Sequence, residues 1–280
     1  MKEITLEDRI KAELASYDGL MGIYVNDMNG NVLEMNSQEK FETASCCKVF
    51  IMGALFDEVE KGNKSLSDML VYTKENYING SGILRSLDLG VTMTVKNVAI
   101  LMIIVSDNIA TNMLIDYLGI DTINAFIQKQ GLKDTVLHNK IDFEKYEKLG
   151  TTTPRDYAAM FERIVKGELV SASASEQMLE ILRKQHYNSM LTGAFPAYLL
   201  DSEDTGEEEL IYVASKSGSM DACRNDGGIV STPYGKYVIV LMNKNFSDSI
   251  YYSGHPSTRF GSKISRLIFD QYLALKGSIR

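Results

Sequence analysis

The sequence is poor in cysteine and histidine. Three cysteines and three histidines in 280 residues are too few for a disulfide framework. No Cys-x-x-Cys pair or Cys/His cluster has the spacing typical of zinc sites. We therefore predict no metal site and no cofactor, in a protein that either resides in a reducing compartment or is indifferent to redox conditions.

A long apolar run is also missing. The longest, Val98 to Val105, is far shorter than the roughly 20 residues that a membrane-spanning helix needs. The first ten residues, MKEITLEDRI, are charged and lack the apolar core of a signal peptide. We expect no membrane span, and either cytoplasmic residence of the chain as written or export if a leader was removed.

Basic residues are outnumbered. The chain has 29 lysines and arginines against 37 acidic residues and a formal net charge of −8, which argues against nucleic acid or anionic membrane as a partner. With 45% hydrophobic residues, the chain can bury a sizeable core in one large domain or two intimate ones. We expect a monomer that acts on a small molecule.

Hydrophobic periodicity gives the order of elements. An amphipathic helix near 4–17 precedes a hairpin around Asn29-Gly30. From Ser45 an apolar run predicts a buried helix that ends at Lys61-Gly62. Residues 65–190 are mainly helical, with start signals at Thr94, Asp107, Asp121 and Thr153-Pro154. After an acidic loop at 201–209, three strands between 210 and 244 and a helix near 257–275 follow.

A lone hairpin would be only marginally stable, so we expect the hairpin and the late strands to form one sheet. The predicted fold class is α/β (α+β): a five-stranded antiparallel sheet flanked by N- and C-terminal helices, with a large helical domain inserted. We divide the chain into a discontinuous sheet domain, 1–44 and 205–280, and a helical domain, 45–204. The cleft between them is the expected site.

Three short motifs stand at ends of predicted elements. Ser45 and Lys48 lie three apart at a helix start, on one face and within hydrogen-bond reach of each other. A desolvated, neutral lysine can activate a serine hydroxyl as a nucleophile. Ser106-Asp107-Asn108 falls between two helices, and Lys216-Ser217-Gly218 ends a strand, where Gly218 permits close approach of a substrate backbone. Ser-x-x-Lys alone is a weak signal, and the alternative interpretation is a helix cap with a surface lysine.

In this order the motifs resemble those of class A serine β-lactamases and penicillin-binding proteins. Ser217 replaces the threonine usual in that family's third motif and keeps the hydroxyl. The motifs span residues 45–218, so the resemblance covers most of the chain. Further segments are similar to class A-like hydrolases: GSGIL at 80–84, SDNIATNML at 106–114 and TTTPRDYAAM at 151–160.

The resemblance implies roles for these residues. Ser45 would attack an amide or lactam carbonyl to form an acyl-enzyme, and Lys48 would take its proton. Ser106 would relay a proton to the departing nitrogen. The implied substrate contacts come from Asn108, Lys216, Ser217, Gly218 and Ser219, with Ser81 at the rim of the cleft. Backbone N–H groups of Ser45 and Ser219 would form the oxyanion hole.

One part of the family pattern is missing. Class A β-lactamases carry a Glu-x-x-x-Asn loop whose glutamate activates the deacylating water, and the segment 137–150 contains no such pattern. Of its carboxylates, Asp142, Glu144 and Glu147, we select Glu144 as the candidate base, although alternating lysines also fit a solvated helix. Without a base, acylation would outpace hydrolysis.

Several alternatives stay open. The chain could be a class A-like β-lactamase, a D-alanyl peptidase or esterase on the same scaffold, or a penicillin-binding domain that acylates with little turnover. His138, His186 or His255 could complete a Ser-His-Asp triad, without a recognisable nucleophile motif. Arg224 could bind a carboxylate or lie on the surface. Cys46 and Cys47, between Ser45 and Lys48, are expected to pack as small hydrophobes.

Overall fold

The computed structural model describes residues 4–145, 148–200, 210–250, 252 and 254–280. The predicted acidic loop at 201–209 and the candidate Glu147 lie outside these ranges.

Among the described residues, six α-helices lie between the hairpin and the late strands, where a mainly helical block was predicted. The helices are α1 (Leu6–Leu14), α2 (Cys47–Glu60), α3 (Val95–Ile104), α4 (Asn108–Leu118), α5 (Ile120–Lys129), α6 (Pro154–Lys166), α7 (Ala172–Arg183) and α8 (Pro256–Ala274). The strands are β1 (Leu20–Asn26), β2 (Val32–Met35), β3 (Phe41–Glu42), β4 (Met69–Val71), β5 (Thr92–Thr94), β6 (Val136–Leu137), β7 (Gly150–Thr152), β8 (Tyr212–Ser215), β9 (Gly218–Met220), β10 (Cys223–Thr232) and β11 (Gly235–Lys244).

The main sheet joins the hairpin to the late strands. Its order is β2-β1-β11-β10-β8, with β9 also paired to β10 and all pairs antiparallel. The predicted antiparallel sheet of hairpin and late strands is thus confirmed, but it has six strands in five positions, because β8 and β9 share the same edge of β10. The chain leaves the ladder between them at Lys216 and Ser217.

Alternation along the central strands separates two cores. In β11, Tyr237, Ile239 and Leu241 pack in the core that also holds residues of α1 and α8. Their neighbours Val238 and Val240 belong to the core shared with the helical block. Because successive strand residues face opposite sides, β11 is buried on both faces, which explains its nearly continuous apolar sequence. The predicted division into two domains, 1–44 with 205–280 and 45–204, stays a prediction.

The start signals of the helices were mostly correct. The hydroxyl of Thr94 accepts the N–H of Asn97, the carboxylate of Asp107 accepts that of Ala110, and Thr153 caps α6. Asp121 is an exception: α5 begins one residue earlier, after Gly119, so Asp121 lies in the first turn, where its charge suits the helix dipole. Within the described ranges, no helix combines the length and apolar character needed to cross a bilayer.

Candidate active site

A cavity of about 450 Å³ opens where the edge of the sheet meets the helical block. Seven of the ten predicted site residues line it: Ser45, Ser81, Ser106, Asn108, Ser217, Gly218 and Ser219. Motifs separated by more than 100 residues therefore meet at one place. Lys48 and Lys216 lie buried behind the lining residues, and Glu144 lies elsewhere.

Ser45 sits in a tight turn. A single 3₁₀ turn, Ala44–Cys46, leads into α2, and Ala44 has a φ of +44°, an uncommon conformation for a residue with a side chain. Gly218 packs directly against this turn: a Cβ there would lie 2.7 Å from the backbone nitrogen of Ser45 and 2.8 Å from that of Cys46. Only glycine allows this approach, so Gly218 sets the spacing between β9 and the Ser45 turn.

Lys48 is fully buried and belongs to a polar network. Its Nζ donates to the backbone oxygen of Ser106 at 2.7 Å, to Ser106 Oγ at 3.0 Å and to Asn108 Oδ1 at 3.0 Å. None of these three bonds goes to Ser45, although both residues start the same helical segment. The structure thus links the first motif to the second through Lys48 and Ser106.

Burial lowers the pKa of Lys48 well below its usual value, and the positive charge of Lys216 lowers it further. Burial also lowers the pKa of Lys216, to about 8. A neutral Lys48 amine keeps two N–H donors and one lone pair. The third contact of Nζ can then run in the other direction, with the Ser106 hydroxyl donating to the nitrogen. This arrangement suits proton exchange between the two groups.

The second motif forms the turn between α3 and α4. Ser106 has a φ of +52°, and the carboxylate of Asp107 accepts the N–H groups of Ile83 at 2.7 Å and Leu84 at 2.8 Å. Ser81 Oγ donates to the backbone oxygen of Ser106 at 2.7 Å. Asp107 therefore fixes the loop around residues 80–84 on the turn, and Ser81 reaches the cavity beside Ser106.

The third motif follows β8. Lys216 Nζ donates to the backbone oxygen of Ser217 at 2.7 Å, and Tyr157 Oη donates to the backbone oxygen of Lys216 at 2.8 Å. Beneath it lies Asp226, fully buried, which accepts the N–H groups of Leu191 at 3.2 Å and Gly227 at 3.0 Å. Burial raises the pKa of Asp226 to about 7. The sequence reasoning missed Asp226, since a lone acidic residue in a strand carries no local signal of burial.

The structure does not bring Glu144 into the cavity. Its side chain is exposed and lines a separate depression on the other side of the loop. The physical reason is a turn at Asp142, whose Oδ1 accepts the N–H groups of Glu144 at 3.1 Å and Lys145 at 3.2 Å and directs the chain outward. Glu144 is not among the lining residues of the cavity, and our choice of it as deacylating base stays a prediction that this geometry does not favour. Among the described lining residues, Asp142 is the one carboxylate.

None of the alternative site residues lines the cavity. His138 contacts Thr151, His186 is exposed, and His255 is buried between the backbone oxygen of Asp248 and the N–H of Ser257. Arg224 is buried rather than on the surface, and its guanidinium donates to backbone oxygens of Met220, Cys223, Ser249 and Ile250. Cys46 and Cys47 are buried.

Further residues complete the cavity from segments without a motif. They are Ile141, Phe143, Leu149, Tyr187, Met190 and Thr258. The apolar and aromatic residues among them are indistinguishable from core residues in a sequence, and Thr258 belongs to no motif, so no signal could have selected them.

Comparison with known proteins now adds to this geometry. The family model described as "Beta-lactamase enzyme family" matches residues 5–272. The chain belongs to the β-lactamase enzyme family. The β-lactamase VEB-1 of Pseudomonas aeruginosa is 22% identical over 278 residues, which is 95% of this chain and 89% of that protein.

Solved structures agree with this family. A β-lactamase from Sphaerobacter thermophilus is 28% identical, with a TM-score of 0.84 over 98% of this chain and 99% of its own. PBP-A is 28% identical, with a TM-score of 0.82 over 96% of both chains, and a mutant of PBP-A forms an acyl-enzyme complex with penicillin G. The fold of this β-lactamase-family protein is therefore the class A fold that its motifs implied.

Proposed function

We propose that this protein is a serine hydrolase of the β-lactamase type, which opens a β-lactam amide through an acyl-enzyme on Ser45. The observation that carries the proposal is the contact of the buried Lys48 amine with Ser106 Oγ at 3.0 Å, beside a cavity that Ser45 and Ser106 both line. A nucleophile, a base of lowered pKa and a second hydroxyl thus surround one space of substrate size.

Acylation then follows from the properties of these groups. Lys48 in its neutral form takes the proton of Ser45 as the oxygen attacks the carbonyl. The N–H groups of Ser45 and Ser219 donate to the developing oxyanion. Each such donor typically lowers the activation barrier by about 3 kcal/mol. Ser106, in contact with Lys48, passes the proton to the departing nitrogen and so completes the cleavage of the C–N bond.

Residues on the two sides of Ser45 bind the substrate and orient it. Lys216 and Ser217 hold the substrate carboxylate by charge and hydrogen bonding. Asn108 binds the side-chain amide of the substrate, and Ser81 closes the rim beside it. In the free protein the Asn108 amide already contacts Lys48 and the backbone oxygen of Asn79, so its position is fixed before substrate binds.

A second candidate function is favoured by the loop that carries Glu144. The one carboxylate among the described lining residues, Asp142, already accepts two backbone N–H groups and lies 3.6 Å from Lys145 Nζ. Among the described lining residues, Asp142 Oδ2 is thus the one carboxylate oxygen that accepts no backbone N–H, and its contact with Lys145 competes with a role in activating water. A penicillin-binding protein that is acylated and released slowly, or a D-alanyl peptidase or esterase, fits this arrangement.

Stopped-flow mixing with a chromogenic cephalosporin, followed by intact-mass analysis, tests the proposal. Rapid multiple turnover supports a β-lactamase, and one stable adduct per chain supports the penicillin-binding alternative. The Ser45→Ala variant should form no adduct. Acylation that survives in Ser45→Ala would contradict both functions.

A further inference from the structure

Glu42 lies three residues before Ser45, at the end of β3, and has no part in the functions assigned above. Its Oε1 accepts three backbone N–H groups: those of Ala44 at 3.1 Å, Leu149 at 3.2 Å and Gly150 at 3.1 Å. The Thr43 hydroxyl lies 3.4 Å from the same oxygen. A single carboxylate oxygen thus gathers peptide groups from two separate segments.

The two segments are the ones that shape the cavity. Ala44 belongs to the turn that presents Ser45, and its N–H bond to Glu42 holds the residue whose φ is +44°. Leu149 ends the loop 138–149 and Gly150 begins β7, and Ala44 and Leu149 both line the cavity. The carboxylate therefore joins the nucleophile turn to the junction between this loop and β7.

The other backbone bonds at this end of the loop use the carbonyl oxygens of Leu149 and Gly150, beside the pairing of β7 with β3 and β6. The N–H of His138 donates to the backbone oxygen of Leu149 at 2.9 Å, and the N–H of Thr43 donates to that of Gly150 at 3.0 Å. These bonds leave the N–H groups of Leu149 and Gly150 to Glu42. Without Glu42, two buried N–H donors would lose their acceptor, which is costly for a backbone group.

We propose that Glu42 is a positioning residue, which fixes the end of loop 138–149 against the Ser45 turn and so sets the geometry for acylation. The role belongs to one oxygen. Oε2 is buried, and no donor from the described residues reaches it. The inference rests on the proposed function for its kinetic part only.

Two substitutions of Glu42 distinguish the effect of its side-chain length from the effect of its negative charge. Glu42→Gln keeps an acceptor oxygen at the same distance from the backbone but removes the charge. Glu42→Asp keeps the charge but shortens the side chain by one methylene, so the oxygen cannot reach Leu149 and Gly150 without displacing them. Glu39→Gln is the matched control, since Glu39 forms an exposed ion pair with Lys244 close by.

The kinetic experiment measures the second-order rate of acylation of Ser45 by a chromogenic cephalosporin. We expect Glu42→Gln and Glu39→Gln to stay within about threefold of the unsubstituted protein, and Glu42→Asp to be at least about tenfold slower, as lost hydrogen bonds to a charged acceptor imply. If Glu42→Gln is as slow as Glu42→Asp, the charge and not the position of Oε1 matters, and the proposal fails.

Hydrogen–deuterium exchange of peptides that cover residues 138–150 provides a readout independent of activity. It is run on each Glu42 variant in the Ser45→Ala background, which cannot form the proposed adduct. Faster exchange in Glu42→Asp but not in Glu42→Gln supports the proposal. Equal exchange in all variants overturns it, whether or not the protein proves to react with β-lactams.

Discussion

The side-chain amide of Asn112 forms two hydrogen bonds with the backbone of Ile141. Oδ1 accepts the N–H and Nδ2 donates to the carbonyl oxygen, each at 3.0 Å. Asn112 lies on α4, one turn after Asn108, so the helix that carries the second motif also fixes a point of loop 138–149. Ile141 is buried and lines the cavity. A fixed position in the cavity wall is thus occupied by an apolar side chain.

The first prediction concerns this position. Ile141→Glu would place a carboxylate in the cavity while the Asn112 bonds, which involve only the backbone, hold the loop. A positioned general base typically accelerates a step by about 10²–10⁴, so we expect release of the Ser45 acyl group to become at least about tenfold faster. Decay of the penicillin G adduct by intact mass measures this rate.

Ile141→Gln is the control for that experiment, since it has the same size without basicity. Equal decay of the adduct in the Glu and Gln variants would show that a carboxylate at this position does not activate water.

The second prediction concerns the two buried lysines. The charge of Lys216 is one of the causes that lower the pKa of Lys48. Removing it in Lys216→Gln should raise the pKa of Lys48, so its neutral form appears at higher pH. We expect the acidic limb of the acylation rate to move to higher pH, whatever the loss in absolute rate from weaker carboxylate binding.

Acylation rates measured from pH 5 to 9 locate this limb. Lys11→Gln, at an exposed position of α1, should leave it in place. A limb that stays or moves to lower pH in Lys216→Gln would show that the charge of Lys216 does not act on Lys48.

The third prediction uses Asp226. Its pKa is raised from 3.8 to about 7 in the folded protein, so between about pH 4 and 7 the folded state binds a proton that the unfolded state has released. This contribution to stability is complete below pH 4 and is lost as pH rises through 7, at up to about 1.4 kcal/mol per pH unit.

In this pH window, the free energy of unfolding of the Asp226→Asn variant should therefore depend less on pH than that of the unsubstituted protein. Urea unfolding at pH 5, 6 and 7 measures the free energy of unfolding. Asp270→Asn, which removes an exposed ion pair with Arg266, should keep the original slope. The same slope in Asp226→Asn would mean that another group carries the pH dependence.

The local features of this fold, such as the helix caps, could be predicted from the sequence. Thr94 and Asp107 were recognisable as caps because a capping side chain bonds to a backbone N–H two or three residues further along the chain. The joint site of the three motifs was predicted from their resemblance to the motifs of class A serine β-lactamases. The caps need only short-range patterns, whereas the joint site needed the comparison with a family.

The path of loop 138–149 could not be predicted in this way. Asn112 and Glu42 hold it, from 29 and 107 residues away in the chain, and neither belongs to a motif that marks such a role. Glu144 was therefore chosen by residue type alone, and the Asp142 turn sends it outward. Arg224 and Asp226 illustrate the same limit, since they are bonded to distant segments: Arg224 to the backbone of Ser249 and Ile250, and Asp226 to that of Leu191.

The last prediction concerns the three cysteines. Cys46, Cys47 and Cys223 are buried, and Cys46 Sγ lies 3.6 Å from the backbone oxygen of Lys216. Burial raises the pKa of all three thiols, in the case of Cys47 and Cys223 to about 12, so reactive thiolate is scarce at neutral pH.

We expect Ellman's reagent to label none of the three cysteines in the folded protein and all three in guanidinium chloride. Glu144→Cys, with its exposed position, should add one thiol that reacts at once. Because thiolate formation requires exposure, a fast-reacting Cys46 or Cys47, located by peptide mass mapping, would mean that the start of α2 opens in solution, and the geometry of Ser45 and Lys48 would then have to be drawn from that open state.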